Sequence, residues 1–396
     1  MTQTDVTSPL SEAAPHPAAP AAVVPKQRTA AEQPAEQPAV PTRAAPRLYV
    51  LDVLRFAAAM MVVSFHLVSL HPWIWGDERS ALAPLHVVSR FGWLGVQLFF
   101  LISGFVICMS SWGRSSGEFF VSRAVRLYPA YWVAVLGTTA LLTLWPLYGR
   151  HRSGQEVLAN LTMLNGLLEI PHVDLSYWTL TVELVFYILF VFAVVNRGVT
   201  YRRVVVFCLT WTVVAVVALN LRVDWLTRLT AADYAPYFVA GMALYLIHRF
   251  GANLLLWSIV GMSWLLAMVI EIGKAENLHR FYPPLVAIIT AFFLIMIGVA
   301  LGKFSWVRWS WLTTVGALTY PLYLIHHAAG ATAVLALGGR MPAWATLALV
   351  VAGLLAAAWL IHRYVETKMA RWMKQRLTAS LRQLREAGDP ESTRQG

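Results

Sequence analysis

From residue 48 onward the chain alternates between long apolar runs and short polar breaks. Ten runs stand out: 51–70, 91–112, 127–145, 176–196, 204–220, 233–248, 254–271, 285–301, 311–329 and 344–362. Each approaches the roughly 20 apolar residues that carry a helix across a bilayer core. The sixth is short and carries Pro236. The third opens near Pro129, where a first-turn proline removes only a donor that the helix leaves unused. The pattern predicts an all-α, polytopic membrane protein of about ten transmembrane helices over residues 48–362. Between the third and fourth runs, residues 155–169 form a shorter amphipathic piece that either lies on the membrane or dips into it. No internal repeat is visible.

The flanks differ from this core. Residues 1–47 are rich in Pro, Ala, Glu and Gln and nearly devoid of large apolar side chains. Such a segment buries too little surface to offset its chain entropy, which predicts a disordered tail. It is no signal peptide, because the first apolar run begins too far in and no cleavage site follows it. In residues 363–396, Tyr364, Met369, Trp372, Met373, Leu377, Leu381 and Leu384 recur at helical spacing among Lys and Arg. That pattern predicts a basic amphipathic helix on the inner membrane surface. Basic residues concentrate in the breaks after the second, fourth, sixth and eighth runs and in the two flanks. By the positive-inside rule both termini are expected in the cytoplasm, which an even helix number also requires.

Composition narrows the class. Charged residues make up 13% of the 396, about half of what soluble globular chains carry. A soluble enzyme and a disordered chain are therefore excluded. The excess of 31 basic over 20 acidic side chains marks cytoplasmic loops and anionic lipid rather than nucleic acid. The two cysteines, Cys108 and Cys208, lie in apolar runs and support neither a disulfide framework nor a zinc site. No metal is expected.

A charged side chain inside a membrane helix is a functional candidate by default, because its insertion costs several kcal/mol by most scales. The candidates are few: Asp52 and Arg55 near one end of the first run, His66 near the other, Glu183 in the fourth, and His326 and His327 in the ninth. Arg55 and His66 are eleven residues apart, which puts them on one helix face about 16 Å apart. Arg55 either lines a path shared with His66 or pairs with Asp52 and snorkels to the interface. His66 is either a satisfied core residue or a general base with its pKa near working pH. Glu183, at similar depth, could fix the His66 tautomer by a hydrogen bond. His326 and His327, about 100° apart on a helix, are not expected to face one point. Arg123 and Arg126 stand three apart before the third run. They are a phosphate clamp or ordinary positive-inside anchors.

Four strings in order give these candidates a common setting: LDVLRFAAAMMVVSFH, GWLGVQLFFLISGFVI, Arg123-x-x-Arg126 followed by Leu-Tyr-Pro, and YWTLTVELVFY. A fifth, TYPLYLIHH, carries His326. Together, across about residues 48–362, they resemble acyltransferase family 3, the bacterial integral-membrane O-acyltransferases. The resemblance implies a cytoplasmic-membrane enzyme that takes acyl, commonly acetyl, groups from acyl-CoA on the cytoplasmic side. The acceptor it implies is a hydroxyl of a glycan, a glycolipid or a small molecule such as a macrolide. It makes His66 the catalytic base or acyl carrier, Glu183 an orienting group, Arg123 and Arg126 the holders of CoA phosphates, and Arg55 a support for the donor path. Asp52, Ser103, Trp178, Tyr187 and His326 become candidate lining residues. No extracytoplasmic esterase-like domain of the sort some relatives carry is expected. The competing class is a transporter or flippase of a glycan or antibiotic that uses the same buried ionisable groups as a relay.

Overall fold

The computed structural model describes residues 48–274 and 282–387, and all their regular structure is helical. The tail expected over 1–47 and the last nine residues lie outside the described residues. In chain order the helices are α1 (Tyr49–Ser64), α2 (Ala83–Ser89), α3 (Gly95–Ser111), α4 (Ser116–Leu144), α5 (Gly154–Leu161), α6 (Trp178–Ala193) and α7 (Tyr201–Leu221). There follow α8 (Asp224–Thr230), α9 (Ala235–Phe250), α10 (Leu254–Lys274), α11 (Tyr282–Ala300), α12 (Leu312–Leu337), α13 (Ala343–Leu360) and α14 (Thr367–Ala387). Among the described residues, eight helical segments are long and apolar enough to cross a membrane. Each of the ten apolar runs overlaps a helix; the two that fall outside those eight segments are α9 and α12.

Helix α9 shows why hydropathy and length part company. Its 16 residues rise only about 24 Å, less than a bilayer core. Yet every residue from Ala235 to Ile247 is buried, because α3, α7, α10 and α11 pack around it. The closest approach is to α3. A methyl group on Gly104 would run into the Phe238 carbonyl, and one on Gly241 into the Leu101 carbonyl. Small residues at such a crossing let two backbones touch, and in lipid that packing substitutes for the hydrophobic drive.

Three features sharpen the sequence expectation. Helix α4 starts at Ser116, with Ser115 and Glu118 forming a capping box. Pro129 therefore lies inside the helix, and Arg123 and Arg126 project from its early turns. The amphipathic piece after α4 enters the bundle. Hydroxyls of Tyr128 and Tyr131 and the indole of Trp132 donate to the carbonyls of Thr162, Asn160 and Leu161, which pins α5 beside the middle of α4. The basic tail is continuous with α13 through a π-helical turn, Ile361–Glu366. It packs on α4, with Leu381 closing over Gly117.

Candidate functional site

Helices α1, α3, α4, α6 and α12 enclose a cavity of about 800 Å³, its mouth included. It is lined by Arg55, Ser103, Arg123, Arg126, Glu183 and Tyr187. Arg126 is exposed, whereas Arg123 is buried. Arg123 donates to Ser110 Oγ at 3.2 Å and Ser122 Oγ at 3.0 Å, and its Nε is buried with no hydrogen-bond partner. Arg55 lies 3.9 Å from the Asp52 carboxylate, which itself packs against Gly316 of α12. Glu183 accepts from Ser103 Oγ at 2.9 Å and from the hydroxyl of Tyr187, one turn on along α6. Three guanidiniums thus face a space that holds one carboxylate, and an unused donor remains on a buried one. That donor set suits phosphate, which guanidinium binds in forked geometry.

The histidines form a second group, deeper along α1. There the helix loosens into a π-helical turn, Phe65–Leu70, a distortion that recurs at functional sites. His66 Nδ1 lies 2.9 Å from the Val62 carbonyl, and His326 Nδ1 lies 2.7 Å from the Tyr323 carbonyl. A carbonyl only accepts, so in the neutral rings both Nδ1 atoms carry the proton. His326 Nε2, 3.1 Å from His66 Nδ1, is then an acceptor for the His66 N–H. This leaves His66 Nε2 as the basic atom. Tyr323 links the two groups: it lines the cavity, and its ring lies 5.4 Å from that of His326.

His327 also meets His66, with ring centroids 4.7 Å apart. Its Nδ1 lies 3.2 Å from Asp174 Oδ1, and its Nε2 accepts from the Tyr148 hydroxyl at 2.8 Å. Asp174 is almost fully buried. It accepts from the Ser176 amide and hydroxyl and from the Ala328 amide. Burial alone would raise its carboxyl. The facing His327, His326 and the Ser176 amide outweigh that and hold it well below the usual carboxylate range.

Three expectations change. Glu183 does not bond His66, because its carboxylate is turned to α3 and to its own helix, and His326 and His327 are the imidazole's neighbours. Both of those rings do reach His66, at 4.9 and 4.7 Å, because His66 sits between their two directions. Trp178 lies on the other side of α6 from Glu183. There it lines a second cavity of about 630 Å³ with His172, Arg228, Asp233 and Tyr234. Asp174, Tyr148 and His71 escaped the sequence because they lie in polar stretches, where such residues are ordinary. Glu271, fully buried at the end of α10, escaped too. It accepts from Gln97 at 3.2 Å and Tyr237 at 3.3 Å and lies 3.7 Å from Lys274.

Residues 48–363 match the Acyl_transf_3 family model, described as an acyltransferase domain. Acyltransferase MdmB from Streptomyces mycarofaciens is 24% identical over 317 residues, 71% of this chain and 78% of its own length. Exopolysaccharide production protein ExoZ from Rhizobium meliloti (strain 1021) is 37% identical over 107 residues, 25% of this chain and 33% of its own. No solved structure matches the chain.

Proposed function

Because the chain belongs to the acyltransferase family matched over residues 48–363, and its helices are apolar enough to cross a membrane many times, we propose that it is a membrane O-acyltransferase drawing on acyl-CoA. The acyl group is acetyl, by the habit of the family it resembles. The acceptor is a hydroxyl of a glycan, a glycolipid or a secreted small molecule. The likeness to ExoZ, an exopolysaccharide production protein, favours the glycan. Both termini and the arginine-lined mouth lie in the cytoplasm, and the histidines face the outer side of the cytoplasmic membrane.

The observation that carries this reading is an arginine-lined cavity whose wall residue Tyr323 stands against the histidine cluster, its ring 5.4 Å from that of His326. CoA phosphates sit at Arg126 and Arg123, with Arg55 further along the path. The thioester extends past Phe99, Thr179 and Tyr323, which line the same cavity, to His66. There Nε2 takes the acceptor's proton, or first takes the acyl group itself. Either way the thioester C–S bond breaks: in direct transfer the acceptor's proton passes from Nε2 to the departing CoA sulfur, and on the carrier route CoA leaves as the thiolate while the acylimidazolium keeps its Nδ1–H. General base catalysis of this type contributes about 10²–10⁴-fold. Glu183 holds Ser103 and Tyr187 in place and balances the guanidinium charge.

The test is donor dependence. In nanodiscs the protein is expected to move radiolabelled acetyl from acetyl-CoA to an added hydroxyl acceptor. Movement of a glycan or antibiotic across proteoliposomes without acyl-CoA would make it a transporter instead.

A further inference from the structure

Where His66 Nε2 carries the acyl group, that imidazole has no lone pair left for the acceptor's proton, and a second base has to face the acceptor. We infer that His327, held by Asp174, is this acceptor-side base, and that the acceptor hydroxyl sits where the Tyr148 hydroxyl now meets His327 Nε2. The inference rests on the acyltransferase reading above and deepens it.

Four observations on this side of the histidine cluster point to that assignment. The His327 ring is as close to His66 as that of His326, so the proposed proton acceptor and the acyl-bearing imidazole are neighbouring rings. Its Nδ1 faces a carboxylate and its Nε2 already accepts from an O–H group at 2.8 Å. This is the arrangement in which a carboxylate fixes the tautomer of a general base and balances the charge it gains. Asp174 cannot swing away, being held by the Ser176 and Ala328 amides. Beyond Tyr148 the path opens. His71 Nε2 lies 3.5 Å from His327 Nε2, and Trp73, 58% exposed, lies nearly parallel to Tyr148 with centroids 6.1 Å apart. Flat aromatic faces beside hydrogen-bonding tips receive the C–H face and hydroxyls of a sugar-like ring, an apolar body with polar edges.

The step balances. The acceptor O–H gives its proton to His327 Nε2. Its oxygen forms the ester bond to the acyl carbon, and the bond from that carbon to His66 Nε2 breaks with the electron pair returning to the nitrogen. His66 is regenerated neutral, still protonated at Nδ1. The proton on His327 passes to solvent by way of His71.

A nucleophile that needs no base separates this role from folding. The full chain in nanodiscs is given acetyl-CoA with either water or hydroxylamine as acceptor, the latter already unprotonated near neutral pH. His327→Gln and Asp174→Asn are expected to slow transfer to water about 100-fold or more while acetylhydroxamate formation stays within about twofold of wild type. His66→Ala is expected to lose both. Equal loss with both nucleophiles in the His327 and Asp174 variants, or loss with neither, would overturn the inference. A wild-type protein that acylates neither nucleophile and releases no CoA would remove the acyltransferase reading, and this one with it.

Discussion

Arg123 and Arg126 are three residues apart, yet the fold gives them different tasks. Arg126 is exposed at the cavity mouth, so Arg126→Glu should leave the protein folded and raise KM for acetyl-CoA. The loss of one charge-assisted bond, about 1.5–3 kcal/mol, is worth roughly 10- to 150-fold. Unchanged KM would return Arg126 to membrane anchoring. Arg123 is buried, and reversing it sets a carboxylate against Glu183, so that variant should lose stability as well. For Glu183 the expectation is similar. Glu183→Ala leaves the Ser103 and Tyr187 hydroxyls without their acceptor and should cost about 1–3 kcal/mol, read as a lower melting temperature in detergent. Glu183→Gln, which keeps an accepting oxygen, should retain most of it. The identities of these residues were legible because charge is rare in apolar runs. Their partners were not. Ser103 meets Glu183 across 80 residues and His326 meets His66 across 260, and a π-helical turn shifts His66 off the angle that an ideal helix would give it.

At the scale of elements, the runs located every long helix from α1 to α13, because a span has to be continuously apolar to remain in lipid. Starts were less legible where helix and membrane end at different places. The first turns of α4 carry charge and project beyond any apolar window, although Ser115-x-x-Glu118 signals the start. Ser115→Ala is expected to cost about 1 kcal/mol, measured by thermal unfolding, and a neutral result would make the box ornamental. The motif glycine Gly104 has a packing reason: it is where α3 meets α9. Gly104→Ala forces the two helices apart and should destabilise the protein by at least about 1–3 kcal/mol. A Gly104→Ala protein that melts with the wild type would show that the crossing is looser than described.

Considered whole, the molecule has a cationic cavity on one side of its histidines and an aromatic, hydroxyl-bearing mouth on the other. That polarity is a statement about sidedness, and it can be tested apart from chemistry. Cys108 and Cys208 are free and buried, so an introduced thiol reports with little background. Trp73→Cys should react with a membrane-impermeant maleimide on intact cells, whereas Trp372→Cys on α14 should react only after lysis; the reverse pattern would invert the proposed orientation. The central claim, however, is that acyl-CoA is opened at His66. Purified protein in nanodiscs, incubated with radiolabelled acetyl-CoA, should release free CoA, while a correctly folded His66→Ala protein should release none. Equal release by that variant would contradict the account.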